Sequence, residues 1–375
     1  GSGVTATVSG TGSRWDATGI TIGGAGTSTM AVTENAVVNV VGDFIVDGAA
    51  TTSLTISKGA HVVQDASASG SGQFRLGVDG HGTLKIESGG VLDTKESPSF
   101  TGFAFLARNA GSTALATIIG EGSAWNTEGL VTVGTSGSAR LEILDGGKMT
   151  GNASASIGFL AGSEGTVLVS GAGSAWVLDP PATDLFPLAS IRMGIGGTGN
   201  MRVEAGAHVE ASGIGVGSSF TDFFTDVTTF GNGHLVVTGE GTTVDLNVGA
   251  TSSFDAGGDG GTGVIEVLDG AVVTVDGRGH FGASIIFDRG GGVLEQFLGH
   301  GTLTVDNARV TYADTLDIGE QATGVLNIRN GGFVSNSDGY LGSFTNIVGS
   351  AGNGTATVTG TGSTWQNTGF LRVGD

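Results

Sequence analysis

One phrase recurs along the whole chain, and this repeat limits the fold more than any other feature of the sequence. It reads apolar-x-apolar, then two or three residues, a Gly and an apolar pair. The first apolar positions of the 13 units are Ala6, Met30, Leu54, Leu84, Ala116, Leu141, Val167, Met201, Leu235, Ile265, Leu303, Leu326 and Ala356. The units are separated by 23 to 38 residues, with a mean near 29. Such a period is typical of proteins that stack one supersecondary unit on the next.

The pattern inside each unit is that of a β-strand. Apolar residues alternate with Thr, Ser, Lys, Glu and Asn, which is the period of a half-buried strand. No stretch shows a sustained 3.6-residue period with helix caps. Gly, Asn, Asp and Ser separate the strands and tolerate the positive φ that sharp corners need. We therefore expect an all-β chain, a right-handed parallel β-helix (β-solenoid) of roughly 13 coils with three short strands in each. A β-propeller fits less well, because its blades are more uniform and usually about 40 to 50 residues long.

Composition excludes several classes of function. The chain has no Cys, so it has neither a disulfide framework nor a thiolate metal site. Its net charge is −20 with only 15 basic residues, which makes nucleic acid and anionic membranes poor partners. No apolar run approaches the length of a membrane-spanning helix, so we expect no direct membrane insertion of this chain.

A second version of the repeat contains a Gly-Ser-x-Trp phrase. Its four copies hold all four tryptophans of the chain: Trp15, Trp125, Trp176 and Trp365. A degenerate copy at residues 241–244 has lost its Trp. The fixed position in the repeat favours a packing role at a corner of the coil. The alternative is a surface ladder for glycan stacking, since Trp125 and Trp176 are two coils, or roughly 10 Å, apart along the axis.

These phrases carry a resemblance to a known family. The G-x-G-S-x-W phrases, VGTSGSARLEILDGGKM and IGGTGNMRVEAGAHV resemble the passenger repeats of bacterial autotransporters, the type V secretion proteins, and most of all large monomeric adhesin-type passengers. The resemblance covers nearly the whole chain. It implies a β-helix exported to the bacterial cell surface and anchored to the outer membrane by a C-terminal barrel outside this chain. The implied partners are host extracellular matrix, a host-cell surface protein or glycan, or other bacteria through self-association.

Irregular stretches interrupt the repeat at residues 95–108, 177–191 and 218–232, and a fourth lies at 276–300. The first three hold all four Pro and eight of the 18 Phe residues. Loops that project from a rigid scaffold commonly carry binding function, and exposed aromatic residues are costly without one. The candidate ligand-binding residues are therefore Phe100, Phe103, Phe105, Phe186, Phe220, Phe223, Phe224 and Phe230. The alternative is that each loop folds back and covers an apolar edge of the coils.

No arrangement of residues indicates catalysis, a metal or a cofactor. Asp and Glu are spread along the chain, whereas glycoside hydrolysis needs two carboxyls about 5 to 9.5 Å apart in a cleft. The six His residues show no metal-ligand spacing. Residues 255–261 are similar to calcium-binding nonapeptide repeats but lack their Gly-x-Asp ending and their tandem copies. We expect a protein that is not an enzyme and has no catalytic residue, metal or cofactor.

The sequence thus predicts a single β-helix over residues 1–375, part of a longer repeat array, that acts as the adhesin or stalk of a surface autotransporter. Two alternatives remain open. A carbohydrate-active β-helix enzyme or a phage tailspike would be favoured by acids gathered in a groove. A purely structural spacer would be favoured by loops that lie flat against the coils.

Overall fold

The computed structural model describes residues 3–67, 72–95, 103–179, 189–222, 227–247, 252–258, 260–288, 294–320, 322–342 and 352–374. All regular secondary structure in this part of the chain is β-strand. None of the described residues forms a helix that could cross a membrane. The chain forms two compact units. Unit 1 is Gly1–Ala189 with Ala207–Val209, and unit 2 is Ser190–Gly206 with Glu210–Asp375.

Twenty strands precede residue 189. They are β1 (Val4–Ser9), β2 (Arg14–Ala17), β3 (Ile20–Gly24), β4 (Ser28–Thr33), β5 (Val37–Val40), β6 (Phe44–Gly48), β7 (Thr52–Ser57), β8 (His61–Asp65), β9 (Phe74–Leu76), β10 (His81–Glu87), β11 (Val91–Lys95), β12 (Phe103–Leu106), β13 (Thr113–Ile119), β14 (Ala124–Thr127), β15 (Leu130–Val133), β16 (Ser138–Leu144), β17 (Lys148–Gly151), β18 (Ala155–Ile157), β19 (Glu164–Ser170) and β20 (Ala175–Leu178).

The remaining strands follow residue 189. They are β21 (Ser190–Met193), β22 (Thr198–Glu204), β23 (His208–Ala211), β24 (Gly213–Val216), β25 (Ser219–Asp222), β26 (Val227–Phe230), β27 (Asn232–Thr238), β28 (Thr243–Leu246), β29 (Ser253–Ala256), β30 (Thr262–Leu268), β31 (Val272–Val275), β32 (Gly279–Phe281), β33 (Ser284–Asp288), β34 (Leu294–Leu298), β35 (His300–Asp306), β36 (Arg309–Tyr312), β37 (Leu316–Ile318), β38 (Thr323–Arg329), β39 (Phe333–Asn336), β40 (Gly339–Leu341), β41 (Asn353–Thr359), β42 (Thr364–Asn367) and β43 (Leu371–Val373).

Each coil of unit 1 consists of a long first strand, a second strand and a third strand, and each pairs in parallel with its equivalent in the next coil. The first strands are β1, β4, β7, β10, β13, β16 and β19. Their register places the predicted repeat positions directly opposite one another: Ala6, Met30, Leu54, Leu84, Ala116, Leu141 and Val167. Each repeat unit identified in the sequence thus corresponds to one coil, and equivalent positions of the repeat stack on one another.

Unit 2 repeats this arrangement. Its first strands are β22, β27, β30, β35, β38 and β41. They align Met201, Leu235, Ile265, Leu303, Leu326 and Ala356 in the same way. Seven first strands in unit 1 and six in unit 2 make 13 within the described residues, which confirms the predicted parallel β-helix and its number of coils.

The core lies inside the coils, because alternate residues of each strand point inward. In β7, Leu54 and Ile56 are completely buried while the residues between them are partly exposed. Three aromatic rings fill the middle of unit 1: Phe44 meets Phe74 at 5.8 Å between ring centroids, and Phe74 meets Trp125 edge-on at 5.4 Å. Interiors of this kind are close-packed, so the inward positions hold each coil in register with the next.

Regular strands occur inside the stretches that the sequence predicts to be irregular. In 95–108, strand β12 is a third strand of the helix, because Ala104 and Leu106 point inward and continue the core. In 177–191, the first two residues end β20 and the last two begin β21. The irregular parts are therefore narrower than predicted. The centres of these stretches, residues 96–102 and 180–188, lie outside the described residues.

The other two stretches contain antiparallel hairpins inserted between parallel coils. In 218–232, β25 pairs with β26, and the backbone N–H of Gly231 donates to the carbonyl of Ser218 at 2.8 Å. In 276–300, β33 pairs with β34, and the N–H of Gly299 donates to the carbonyl of Ala283 at 3.0 Å. The two strands of each hairpin pair with each other, and the hydrogen bond at the neck brings the ends together, so the coil continues after it.

Candidate functional site

The structure describes half of the eight predicted ligand-binding phenylalanines. Phe103 and Phe105 lie in unit 1, and Phe220 and Phe230 lie in unit 2. The other four, Phe100, Phe186, Phe223 and Phe224, lie outside the described residues.

Phe103 and Phe105 lie side by side on the outward face of β12. Their ring centroids are 5.5 Å apart, and both rings are partly exposed. The register pairs Phe103 with Leu130, whose exposed fraction is 40%, and Phe105 with Arg75. The guanidinium of Arg108 lies 5.3 Å above the ring of Phe105. We call these five residues the aromatic patch.

The two arginines make the aromatic patch a positive site on an acidic chain. Arg75 forms an ion pair with Asp43 at 3.3 Å. Burial lowers the pKa of Arg75 and the positive charge of Arg108 lowers it further, against the opposite effect of Asp43. The guanidiniums therefore repel each other, and an anionic or hydroxyl-rich ligand between them would relieve that repulsion.

An open cleft of about 360 Å³ lies on the outward side of the second strands of unit 1. Its lining includes Asp93, Lys95, Asn126, Glu128, Thr150 and Asn152. The side chains of Asp93, Asn126 and Thr150 stand in register on β11, β14 and β17. The Oδ1 atom of Asn152 is buried and has no hydrogen-bond partner among the described residues. A buried acceptor of this kind is a group that a bound ligand or water would satisfy.

Hydrogen bonds fix the polar side chains of the cleft. Asn126 Nδ2 donates to Asp93 Oδ1 at 2.7 Å, and Thr150 Oγ1 donates to Asn126 Oδ1 at 2.8 Å. His61 Nε2 lies 2.7 Å from Asp93 Oδ2. Burial raises the pKa of Asp93, but the hydrogen bonds from His61 and Asn126 outweigh it and bring that pKa below its usual value. Asp93 is thus held as a carboxylate, a fixed acceptor.

The cleft and the aromatic patch are neighbours. A narrow crevice lined by Thr94, Lys95 and Phe103 joins them, since Thr94 and Lys95 also line the cleft. Unit 1 therefore presents one continuous surface in which preorganised polar groups adjoin two aromatic rings.

The two described phenylalanines of the β25–β26 hairpin, Phe220 and Phe230, do not share a face. Phe220 stands opposite Thr229, while Phe230 stands opposite Ser219, so the two rings lie on opposite faces. Phe230 is 41% exposed and Phe220 is partly exposed. The sequence spacing of 10 residues could not show this, because the face of each residue depends on the register of the turn between them.

The tryptophan phrases have the packing role that the sequence favours. Trp125 and Trp176 are completely buried, so they form no surface ladder for glycans. Trp125 Nε1 donates to Thr94 Oγ1 at 3.2 Å, and Trp365 Nε1 donates to Asn336 Oδ1 at 2.8 Å. Trp15 is 41% exposed because, among the described residues, β2 pairs with a neighbouring coil on one side only.

A cluster of titratable groups that sequence spacing missed lies on the outward face of the third strands of unit 2. His280 of β32 lies between Asp255 of β29 and Asp317 of β37, with Nδ1 3.4 Å from Asp255 Oδ1 and Nε2 3.1 Å from Asp317 Oδ2. Glu320 lies close enough to His280 and Asp317 for the three to share a ligand. Burial lowers the pKa of His280, but its bonds to the two aspartates outweigh it and raise that pKa to about 10.

Comparison with known proteins gives little beyond the fold. No family model and no curated protein matches the chain. Among solved structures, the chain is similar to the crystal structure of a TibC-catalyzed hyper-glycosylated TibA fragment, residues 55–350. The similarity has a TM-score of 0.41 and 14% sequence identity, and it covers 100% of this chain and 98% of that one. The assignment of this chain as a parallel β-helix rests on its own strands and registers.

Proposed function

We propose that the chain is part of the passenger of a bacterial surface autotransporter, and that it acts as an adhesin whose ligand is a glycan. The observation that carries the proposal is the continuous surface of unit 1, where the cleft adjoins the aromatic patch. The repeat phrases of the Gly-Ser-x-Trp type support the autotransporter class. The proposed location is the outside of the bacterial cell.

The chemistry of this surface suits a sugar. A sugar ring offers hydroxyl groups at its edge and an apolar face of C–H groups. Asp93 and Asn126 are planar polar side chains held in place by hydrogen bonds, so they lose little entropy when they bind hydroxyls. The rings of Phe103 and Phe105 offer apolar faces beside them. A cleft of about 360 Å³ has the size of a small-ligand site.

The lowered pKa of Asp93 argues against its acting as the general acid of a glycosidase. Glycoside hydrolysis needs a carboxylic acid that is protonated near neutral pH, which requires a raised pKa. The pKa of Asp93 is lowered, and both of its oxygens already accept hydrogen bonds or an ion pair. A carbohydrate-active enzyme therefore remains the second candidate, favoured only by the presence of Glu128 in the same cleft.

The experiment is a glycan array probed with the labelled chain, followed by calorimetry with the glycans that bind. We expect the variants Phe105→Ala and Asn126→Ala each to weaken binding about tenfold or more, or about 1.4 kcal/mol. The matched control is Phe333→Ala in unit 2, because the guanidinium of Arg309 lies 4.1 Å above that ring in the same kind of contact. The control should bind as the unmodified chain does.

Three results would overturn the proposal. Absence of binding to any glycan or to host cells would leave a structural spacer. Shortening of a bound glycan on incubation would identify an enzyme. Equal losses in Phe105→Ala and Phe333→Ala would place the ligand elsewhere. Antibody labelling of intact cells tests the proposed location, and labelling only after lysis would contradict it.

A further inference from the structure

We propose that His280, Asp317 and Glu320 form a binding site for a divalent metal ion of the zinc class on unit 2. The imidazole Nε2 and one oxygen of each carboxylate all lie within 4.8 Å of one another. One histidine and two carboxylates are a ligand set that Zn²⁺ accepts, with a fourth position left for water. The three side chains are half-buried, so an ion has a path from solvent.

The fold brings these ligands together from distant parts of the sequence. His280 and Asp317 are 37 residues apart but directly paired in the register of β32 and β37. Glu320 follows at the corner after Gly319, whose φ of 71° turns the chain sharply. An added Cβ at Gly319 would overlap the backbone of Asn353, so only glycine allows this corner. The corner places Glu320 beside Asp317.

The distances need only a small adjustment. Ligand atoms on a tetrahedral Zn²⁺, at about 2.0 to 2.1 Å from the metal, are about 3.3 Å from one another. His280 Nε2 and Asp317 Oδ2 are already 3.1 Å apart.

A second shell is already in place around the imidazole. Asp255 Oδ1 accepts the backbone N–H of His280 at 2.9 Å and lies 3.4 Å from Nδ1 of the same residue. Metal-ligating histidines almost always donate their other ring N–H to a carboxylate or carbonyl, which fixes the tautomer and the ring. Asp255 thus directs Nε2 toward Asp317 and Glu320.

A metal ion at this site would cross-link neighbouring coils of a chain that has no Cys for disulfides. Asp255, His280 and Asp317 belong to three successive third strands, and the chain has no Cys. An ion that binds the folded state and not the unfolded chain stabilises it in proportion to ligand concentration over Kd.

The test is calorimetry with ZnSO₄ on the tag-free, full 375-residue chain after treatment with EDTA and dialysis. We expect one Zn²⁺ per chain and a rise in Tm on addition of metal. The variants His280→Ala and Asp317→Asn should lose about 100-fold in affinity, and Asp255→Asn about 10-fold. The matched control is His234→Ala, because His234 Nε2 forms the same kind of outward pair with Glu266, at 3.0 Å, in the same unit.

Circular dichroism and Tm without metal establish that each variant folds. No binding at 100-fold excess of Zn²⁺ over the chain would overturn the proposal. Equal losses in His280→Ala and His234→Ala would also overturn it, because the ion would then be shared among surface histidines. Binding of Ca²⁺ in place of Zn²⁺ with no effect of His280→Ala would assign the ion to another site.

Discussion

The hydroxyl of Ser174 accepts a hydrogen bond from the backbone N–H of Gly146, in the preceding coil, at 3.0 Å. The same hydroxyl donates to the carbonyl of Ser170 at 2.7 Å. Ser174 is the serine of a Gly-Ser-x-Trp phrase, and Gly146 is the glycine of the phrase in the coil before it. One buried hydroxyl thus accepts from the Gly146 N–H of the preceding coil and donates to a carbonyl of its own coil.

This contact recurs wherever the two versions of the repeat meet in order. Gly89 N donates to Ser123 Oγ at 3.1 Å, Gly206 N to Thr242 Oγ1 at 3.0 Å, and Gly331 N to Ser363 Oγ at 3.1 Å. The degenerate copy has kept its hydroxyl, Thr242, although it has lost the Trp. The two versions of the repeat therefore alternate because the glycine N–H of one coil donates to the hydroxyl of the next.

Loss of this hydroxyl should destabilise unit 1. We expect Ser174→Ala to lower the free energy of unfolding by about 1 kcal/mol, because it removes the hydrogen-bond partner of the Gly146 N–H. Denaturant titration followed by circular dichroism measures this. Ser138→Ala at an exposed position is the control, and an equal effect of both variants would contradict the assignment.

The indole N–H groups of two buried tryptophans should contribute differently to the free energy of unfolding. Trp125 donates to Thr94, whereas Trp176 Nε1 is buried and has no partner among the described residues. Replacement by Phe removes a similar volume at both positions. Trp125→Phe should therefore be more destabilising than Trp176→Phe by about 1 kcal/mol. Thermal melts of the two variants give the comparison, and the reverse order would show that the hydrogen bond contributes nothing.

The corner glycine Gly217 should be far less tolerant of substitution than Gly215 within strand β24. Gly217 has a φ of 70°, and an added Cβ would overlap the carbonyl oxygen of Thr262. Gly217→Ala should cost about 3 kcal/mol or more, from strain and overlap together. Gly215→Ala, where an added Cβ has no atom within 4 Å, should remain within about 0.5 kcal/mol of the original. Similar Tm values for both variants would be inconsistent with this corner geometry.

The carboxylate of Asp93 should make a pH-dependent contribution to stability. Its folded-state pKa lies below the value of an unfolded Asp, about 3.9. The unfolded chain therefore binds this proton first, so the stabilisation is present above about pH 4 and is lost as pH falls through the folded pKa. The stability difference between the original chain and Asp93→Asn should shrink between pH 7 and pH 3. A difference that stays constant over this range would contradict it.

Much of the fold could be predicted because its signal is local. The alternation at Leu54 and Ile56, or at Leu84 and Ile86, specifies a strand and its inward face within a few residues. The repeat then gives the register, since equivalent positions must stack. The prediction of 13 coils followed from counting one residue in each unit.

The candidate sites depend on pairings that a single unit does not contain. Asp93 and Asn126 meet only because β11 and β14 are in register, and their separation of 33 positions corresponds to no motif. His280 and Asp317 are separated by a sequence that contains the β33–β34 hairpin, so the coil length itself hides their pairing. The aromatic patch is partly anticipated, because Phe103 and Phe105 share a strand face at a spacing of two.

Because both hairpins are closed at the neck, the path of the coil does not depend on how long the inserted segment is. At Ser218 and Gly231, and again at Ala283 and Gly299, a single backbone hydrogen bond joins the ends of the inserted segment. The ends stay equally close whatever number of residues lies between them, because each hairpin pairs with itself. Mutation and recombination can therefore replace a whole hairpin without a shift of register in the coils on either side. The hairpins can therefore change in length and sequence while the framework of the coils is inherited unchanged.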